Sequence, residues 1–478
     1  MSAHLTATAA IVLAAGQGTR MRSRVPKVLH PLAGRSMIDH VLDALADAGI
    51  ARPVVVTGHG GDAVEAAVGA RAATARQEAQ LGTADAVRVG LGAVSSDVRT
   101  VLITMGDAPL QPSALFRAIL REREIGGPAI VLVSAHLPDA TGYGRIVRDA
   151  DRGAASIVEE AHADELTRAL NEVNVGTYAF DVAWLREALA RVAPSPSGEE
   201  YLTDLVAMAV ADGRAVRIVE ADDAGDTIGI NDRLALAMAE ERMRRRIADE
   251  HMRNGVTIVD PTTTRIDAGV EIGQDARIEP WTILEGATVI AQDALIGPNA
   301  HVRDSRIGPR TRVWASVVEA STVAEDVEIG PFAHLRPGSD IGPRCRIGNF
   351  AEIKKTRLGA GTQQHHFSYL GDAEIGADVN IGAGSVTANF DGTTKHRTLI
   401  GDRASIGVDT MMVAPLRIGE GATTGAGSVV TRDVAPGKKV VGVPARPIEL
   451  RRSSKPPAGA GSPAPVEAPV PSGADRNS

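Results

Sequence analysis

From Ile266 onward the aliphatic residues of this chain recur every six positions, at Ile272, Ile278, Leu284, Ile290, Ile296 and Val302. After one slip the period resumes at Val323, Ile329, Leu335, Ile341, Ile347 and Ile353, and again at Ile400, Ile406, Met412 and Ile418. Glycine follows many of the aliphatic residues, as in "IGPFAH", "IGPRCR", "IGNFAE" and "IGAGSV". A period of six matches neither the turn of an α-helix nor the two-residue alternation of an ordinary strand. It suits a β-solenoid, in which each short strand sends one aliphatic side chain inward and glycine permits the turn to the next. Chance spacing in a valine-rich sheet would not hold register over so many positions.

The first half is built differently. Apolar runs such as "AAIVLAAG", "RPVVVTG", "RTVLITMGD" and "PAIVLVSA" alternate with helical segments such as "SMIDHVLDALADAG". That alternation predicts an α/β domain, Rossmann-like, with a mainly parallel sheet covered by helices. Between the halves, "NDRLALAMAEERMRRRIADEHMRNG" has no proline and closes on Asn254-Gly255, so it reads as a linking helix. The final "SSKPPAGAGSPAPVEAPVPSGADRNS" reads as a disordered tail without a site. The 478 residues therefore divide into an α/β domain at 1–232, a linker helix at 233–254, a solenoid at 255–450 and a tail at 451–478.

Charge and cysteine usage narrow the partners. Lys and Arg number 51 against 59 Asp and Glu, so there is no broad basic surface for a nucleic-acid backbone. A lone cysteine, Cys345, excludes a disulfide framework; it reads as a small core filler in a reducing compartment. The run "MSAHLTATAAIVLAAG" lacks a basic start and leads into a glycine loop, which makes it a buried first strand rather than a signal peptide. No membrane span is expected, and the expected location is the cytoplasm.

The loop "LAAGQGTRMRSRVPKVLH" is the first candidate for chemistry. It is not a Walker A loop, because no Gly-Lys-Ser/Thr follows, and not a dinucleotide fingerprint, because Met21 stands at the third-glycine position. Gly16 and Gly18 at the end of a strand let backbone N–H groups approach phosphate oxygens, while Arg20 and Lys27 can neutralise charge on a leaving pyrophosphate. The competing reading is a tight strand-to-helix turn with two solvated cations. Asp107 in "ITMGDAPL" follows another buried strand, at the carboxyl edge where open α/β sheets bind ligands. A carboxylate there suits Mg2+ against a triphosphate; the alternative is a helix N-cap.

The apolar pattern of the solenoid is interrupted twice, by "AGTQQHHFSYLGD" and by "TANFDGTTKHRT", and repeat folds expose functional loops at such breaks. Adjacent His365 and His366 offer a base, because histidine titrates in the range that general-base chemistry needs. In an extended chain they cannot both face one pocket, which also argues against zinc, as does the lack of a nearby cysteine.

The segments "LAAGQGTRM", "PKVL", "QLGTADA", "GDAPL", "TGYGRIV", "IVEE", "NEVNVGTY" and "GINDRLAL", in that order, resemble a sugar-nucleotide pyrophosphorylase domain. Joined to a hexapeptide solenoid, they resemble the family of the bifunctional N-acetylglucosamine-1-phosphate uridylyltransferase / glucosamine-1-phosphate N-acetyltransferase, over residues 10–450. The resemblance implies a left-handed parallel β-helix at the C-terminal end and a homotrimer with acetyl-CoA between neighbouring coils. It implies that Leu13, Ala14, Ala15, Gly16, Gln77, Gly82 and Thr83 surround the uridine nucleotide of UTP, with Arg20 and Lys27 steadying phosphates. Met105, Gly106, Gly144, Glu159 and Asn174 would lie along the nucleotide-sugar site, and Asp107 and Asn231 would hold Mg2+.

In the solenoid, "HHFSYLGDA" is similar to the family's "HLTYLGDA", which makes His366 the base. Arg336, Gln363, Tyr369 and Asn380 would hold glucosamine 1-phosphate, and Ala383, Asn389, Phe390, Lys395, Val408 and Ala426 would take acetyl-CoA. Several positions depart from the family pattern: Met105 and Phe390 replace tyrosine, Asp85 histidine, Gln363 lysine and Val408 serine, and Ala161 lies in a usually lysine-containing stretch. Phosphate capture should therefore lean on Arg336. The implied function is a two-step enzyme making UDP-N-acetylglucosamine. The alternatives are a pyrophosphorylase for another sugar phosphate whose solenoid acetylates a different amino sugar, or one whose solenoid serves only oligomerisation and regulation.

Overall fold

The computed structural model describes residues 8–149, 153–196 and 198–448. The segment 451–478, expected to be a disordered tail, lies outside them. In the first half, seven strands run side by side in the order Val216–Glu220, Ile130–His136, Glu172–Asp181, Thr100–Met105, Thr8–Ala14, Val54–Thr57 and Ala73–Arg76. All neighbours are parallel except Glu172–Asp181, which runs against both of its partners. A hairpin of Arg145–Arg148 and Ala154–Val158 attaches to that antiparallel strand.

The central strand explains the apolar run that announced it. Ile11 and Leu13 point into one core with Tyr178, Phe180 and Leu185, while Ala10, Val12 and Ala14 point into a second core with Ile38, Leu42 and Phe116. A strand covered by helices on both faces has no polar side to show, so its sequence reads as continuous rather than alternating hydrophobicity. The helix Met37–Asp47 starts where Ser36 Oγ accepts the Asp39 N–H at 3.3 Å.

A long helix, Arg233–Arg253, follows the α/β part; Asp232 caps it by accepting the Ala235 N–H at 2.9 Å. Its buried residues Ala239, Met243, Ile247 and Ala248 join one core with Leu32 and Met37 on one side and Val256, Ile258 and Ile266 on the other. Two backbone groups of Ala33 complete the junction: its N–H donates to Glu240 Oε2 at 2.8 Å, and its carbonyl accepts the Ala268 N–H at 2.9 Å.

From Thr257 the chain winds into three sheets of 12, 10 and 9 strands, parallel throughout except that the last of the 12, Ala445–Pro447, runs antiparallel to its neighbour. Ile278 pairs with Ile296, so a full coil is three hexapeptides long, and the next pair, Ile296 with Val313, spans one residue less. The six-residue series is the set of inward positions: Ile278, Leu284, Ile296, Val302, Ile329, Leu335, Ile341 and Ile353 are all fully buried. The slip after Val302 is a run of shortened corners, with Ile307, Val313, Val318 and Val323 still inward. Cys345 lies inside this core, where burial pushes its thiol up to about 11 and the Sγ–H donates to the Gly359 carbonyl at 3.2 Å.

The two breaks in the apolar pattern have different structures. "AGTQQHHFSYLGD" does not interrupt the winding: Gln363–Gln364 and Ser368–Gly371 are regular strands, and Gln364 is a fully buried polar residue at an inward position. Only the second break is an insertion, a loop leaving Val386–Ala388 and returning at Thr398–Ile400. Glycine is required where coils touch: a Cβ on Gly348 would lie 1.9 Å from the His365 carbonyl oxygen.

Candidate functional site

Leu13, Ala14, Ala15 and Gly16 leave the first strand along the floor of a cavity of about 520 Å3. Lys27, Gln77, Gly82, Thr83, Met105 and Asp107 line its walls. Gly18 turns the loop with φ 61°, and a Cβ there would lie 2.9 Å from Lys27 Cβ, so glycine lets the cation fold back over the loop. Lys27 Nζ pairs with Asp107 and donates to Asn231 Oδ1 at 3.1 Å, and Arg20 Nη2 donates to the same oxygen at 2.9 Å. The Lys27 and Asp107 side chains are each only 14% exposed, so their attraction is screened less than at an open surface.

Asp107 is not a helix cap, because the next helix, Ser113–Glu124, begins after Pro112. Its strand positions it: the Gly106 N–H donates to the Leu13 carbonyl at 2.9 Å, and the Asp107 carbonyl accepts the Ile230 N–H at 2.8 Å, bringing Asn231 alongside. One carboxylate and one amide oxygen thus converge on a single positive centre, the Lys27 ammonium. That all-oxygen pair suits a hard divalent cation completing its shell with phosphate oxygens and water. Among the described residues no group of three or more His, Cys, Asp or Glu side chains is placed to hold a metal.

Gly144, Glu159 and Asn174 also come together. The Asn174 N–H donates to the Gly144 carbonyl at 2.8 Å, and a Cβ on Gly144 would lie 3.4 Å from Glu159 Oε2. Met105 reaches toward this group, its Cγ 3.0 Å from where a Cβ on Gly176 would stand. Sequence reading missed Gln80, Glu199 and Tyr201, which line the cavity, and Thr203, whose Oγ1 donates to Glu159 Oε1 at 2.8 Å. Gln80 Nε2 donates to the Ala15 carbonyl at 3.0 Å. Glu199, Tyr201 and Thr203 follow a Pro- and Ser-containing connector, and only the folded chain places them beside the glycine loop.

On the solenoid, the expected residues fall on two sheets. Gln363 pairs with Asn380 on one, while Glu352 pairs with Tyr369 on the next, and His365 and His366 form the exposed corner between them. Gln363 Oε1 accepts the His365 Nε2–H at 2.9 Å, so its amide oxygen is engaged. Arg336 Nη1 donates to Glu352 Oε1 at 2.7 Å, which raises the pKa of the guanidinium. Gly371 gives room to Tyr369, whose hydroxyl would be 2.3 Å from a Cβ there.

Lys354, which sequence reading also missed, ends the strand Ala351–Lys354 and meets Lys395 from the inserted loop. Contact with the Lys395 ammonium, with Arg336 adding to it, lowers the Lys354 pKa. Arg336, Lys354 and Lys395 therefore gather positive charge on one side of the prism. The inserted loop is held by Asp391, whose carboxylate accepts the Thr393 and Thr394 N–H groups at 2.8 and 2.7 Å and His396 Nε2–H at 2.7 Å. Asn389 anchors it to Asp372, and Phe390 stands 59% exposed beside its bridge partner Lys395. Ala383, Val408 and Ala426 occupy successive coils at one corner: the Ala383 carbonyl accepts the Asp409 N–H, and the Val408 carbonyl accepts the Gly427 N–H.

The model of the MobA-like NTP transferase domain family matches residues 10–194, and that of the bacterial transferase hexapeptide (six repeats) matches residues 320–355. The chain is 46% identical over 430 residues to the Bifunctional protein GlmU of Geobacillus thermodenitrificans, spanning 90% of this chain and 94% of that relative. To the protein of the same name from Thermobifida fusca it is 46% identical over 450 residues, 92% of this chain and 93% of the relative. To that from Heliobacterium modesticaldum it is 45% identical over 433 residues, 90% and 94%.

Proposed function

The chain belongs to the family of the bifunctional GlmU proteins, and from that premise we propose how its two sites divide the work. It is a bifunctional enzyme of UDP-N-acetylglucosamine synthesis: acetyl-CoA acetylates glucosamine 1-phosphate, and UTP then uridylylates the N-acetylglucosamine 1-phosphate formed. The product feeds bacterial cell-wall synthesis.

Uridylyl transfer belongs to the cavity behind the glycine loop. A phosphate oxygen of N-acetylglucosamine 1-phosphate attacks the α-phosphorus of UTP in line, the bond to the bridging oxygen breaks, and pyrophosphate leaves. Leu13 to Gly16, Gln77, Gly82 and Thr83 hold the nucleotide; Gly144, Glu159 and Asn174 hold the sugar. Lys27 and Arg20 take up charge on the leaving pyrophosphate. Asp107 and Asn231 would hold Mg2+, whose charge, when bound, offsets that of the triphosphate. The observation that carries this assignment is the convergence of Arg20, Lys27, Asp107 and Asn231 at the mouth of the cavity.

Acetyl transfer belongs to the β-helix. His366 takes a proton from the ammonium of glucosamine 1-phosphate, the freed amine attacks the thioester carbonyl carbon, the carbon–sulfur bond breaks, and CoA leaves as the thiol, carrying the second proton shed by the new amide nitrogen. Arg336, Lys354 and Tyr369 face the sugar phosphate, and Asn389, Phe390, Lys395 and the corner of Ala383, Val408 and Ala426 face acetyl-CoA. Gln363 and Asn380 lie on a different sheet from the cationic group. A homotrimer, in which a neighbouring chain brings the second set to the first, accounts for that separation. The division at 1–232, 233–254 and 255–450 and a cytoplasmic location complete the reading. No helix among the described residues is long and apolar enough to cross a membrane.

The test supplies purified protein with glucosamine 1-phosphate, acetyl-CoA, UTP and Mg2+, then omits each in turn. The reading expects UDP-N-acetylglucosamine only from the complete mixture, accumulated N-acetylglucosamine 1-phosphate without UTP, and neither product without acetyl-CoA. Acetylation that persists without Mg2+ while uridylylation stops supports the metal assignment; uridylylation unaffected by its removal contradicts it.

A further inference from the structure

The base end of the nucleotide cavity holds a chain of polar groups that leaves one side chain a single way to face a ligand. Gln77 is 5% exposed and lines the cavity. Its Nε2 donates to the Gly82 carbonyl at 3.1 Å and to Asp85 Oδ2 at 2.7 Å. Both partners only accept, so the nitrogen of this amide is fixed and both its hydrogens are engaged. The remaining group, Oε1, is an acceptor. Asp85 is held in turn: Oδ1 accepts Arg88 Nη1–H at 2.9 Å, and Arg88 Nη2 donates to Glu200 Oε2 at 2.6 Å. The Asp85 and Glu200 side chains are each 14% exposed, and the Glu200 carbonyl accepts the Ala84 N–H at 3.0 Å, locking the segment around Gly82.

We infer that Asp85 is a positioning residue for base selection, holding Gln77 as an acceptor toward the pairing edge of the pyrimidine. The inference rests on the assignment of UTP to this cavity. Uracil has one donor on that edge, N3–H, between two carbonyls, and only this hydrogen complements Gln77 Oε1. Cytosine presents a bare N3 at the same place, so two lone pairs would face each other in a buried site. Unpaired and opposed polar groups in a desolvated pocket discriminate strongly between otherwise similar ligands. A carboxylate at residue 85 can only accept and so reinforces the Gly82 carbonyl in fixing this orientation, whereas an amide there can turn a donor against it.

The test compares kcat/KM for UTP and for CTP in the full-length enzyme and in Asp85→Asn, with acetyl transfer as the control for folding. In Asp85→Asn the new amide satisfies Arg88 with its oxygen and turns its NH2 toward Gln77 Nε2, donor against donor. The UTP-to-CTP ratio should fall by about tenfold, chiefly through a raised KM for UTP. Adding Arg88→Leu frees that amide to turn its oxygen back to Gln77, and the ratio should recover. A purely structural role for Asp85 would lower both substrates together. An unchanged ratio in Asp85→Asn, or a double variant with no recovery, would overturn the inference. Wild-type enzyme inert toward UTP would instead overturn the functional assignment beneath it.

Discussion

The Ser368 hydroxyl donates to the carbonyl of His366 at 3.0 Å, and Gln364 Nε2 donates to Ser368 Oγ at 2.7 Å. A buried glutamine inside an otherwise aliphatic solenoid thus braces the corner that carries the candidate base. Gln364 Oε1 has no partner among the described residues, and an unsatisfied buried acceptor costs about 1–3 kcal/mol.

Gln364→Leu restores the aliphatic series and removes that cost, so it should stabilise the β-helix by about 1 kcal/mol. It also removes a brace beneath His366, so acetyl-transfer kcat should fall while uridylyl transfer is unchanged. Thermal denaturation with the two separate assays checks this; a destabilised variant with full acetyl transfer would contradict it.

Phosphate capture should depend on Lys354 more than on Gln363. Losing a charge-assisted hydrogen bond costs about 1.5–3 kcal/mol, so Lys354→Gln should raise the KM for glucosamine 1-phosphate by roughly ten- to a hundredfold. Gln363→Lys should move it less than about twofold, because Gln363 is exposed and already bonds His365, so a cation there adds only a screened surface charge. Steady-state titration at saturating acetyl-CoA separates the two; a large gain from Gln363→Lys would contradict the placement.

The lowered pKa of Lys354 sets a sign. Below that pKa its ammonium is charged and attracts phosphate; as pH rises through it, attraction is lost sooner than for an ordinary lysine. The alkaline limb of kcat/KM for glucosamine 1-phosphate should therefore move to higher pH in Lys395→Gln, which removes the main repulsion. A limb that stays fixed or moves down would contradict the pairing of these lysines.

Much of this was legible in the sequence, for identifiable reasons. The period of six is a direct image of the inward positions, and "AAIVLAAG" reads as a buried strand because both faces of Thr8–Ala14 are covered. What stayed hidden was three-dimensional pairing. Lys354 carries no local signal, since its meaning depends on Lys395 meeting it across the inserted loop. "AGTQQHHFSYLGD" looks like an insertion because Gln364 replaces an aliphatic residue, whereas the backbone winds on unchanged. Asp85 shows only as a substitution until Gln77, Gly82 and Arg88 are seen around it.

If neighbouring chains complete the acetyl-transfer site, light scattering should find three chains per particle. A fragment ending near Gly255 should be smaller yet keep uridylyl transfer. A monomeric full-length protein with full acetyl transfer would contradict the shared site.

The central claim, two independent sites on one chain, is tested most directly by measuring both reactions separately in Asp107→Asn and His366→Ala. Loss of an aligned charged group at a site of developing charge typically costs about 10²–10³ in rate. Asp107→Asn should lose uridylyl transfer on that scale with acetyl transfer intact, His366→Ala should do the reverse, and the two variants mixed should again make UDP-N-acetylglucosamine from glucosamine 1-phosphate. A folded variant that loses both reactions, or a mixture that stays inactive, would contradict it.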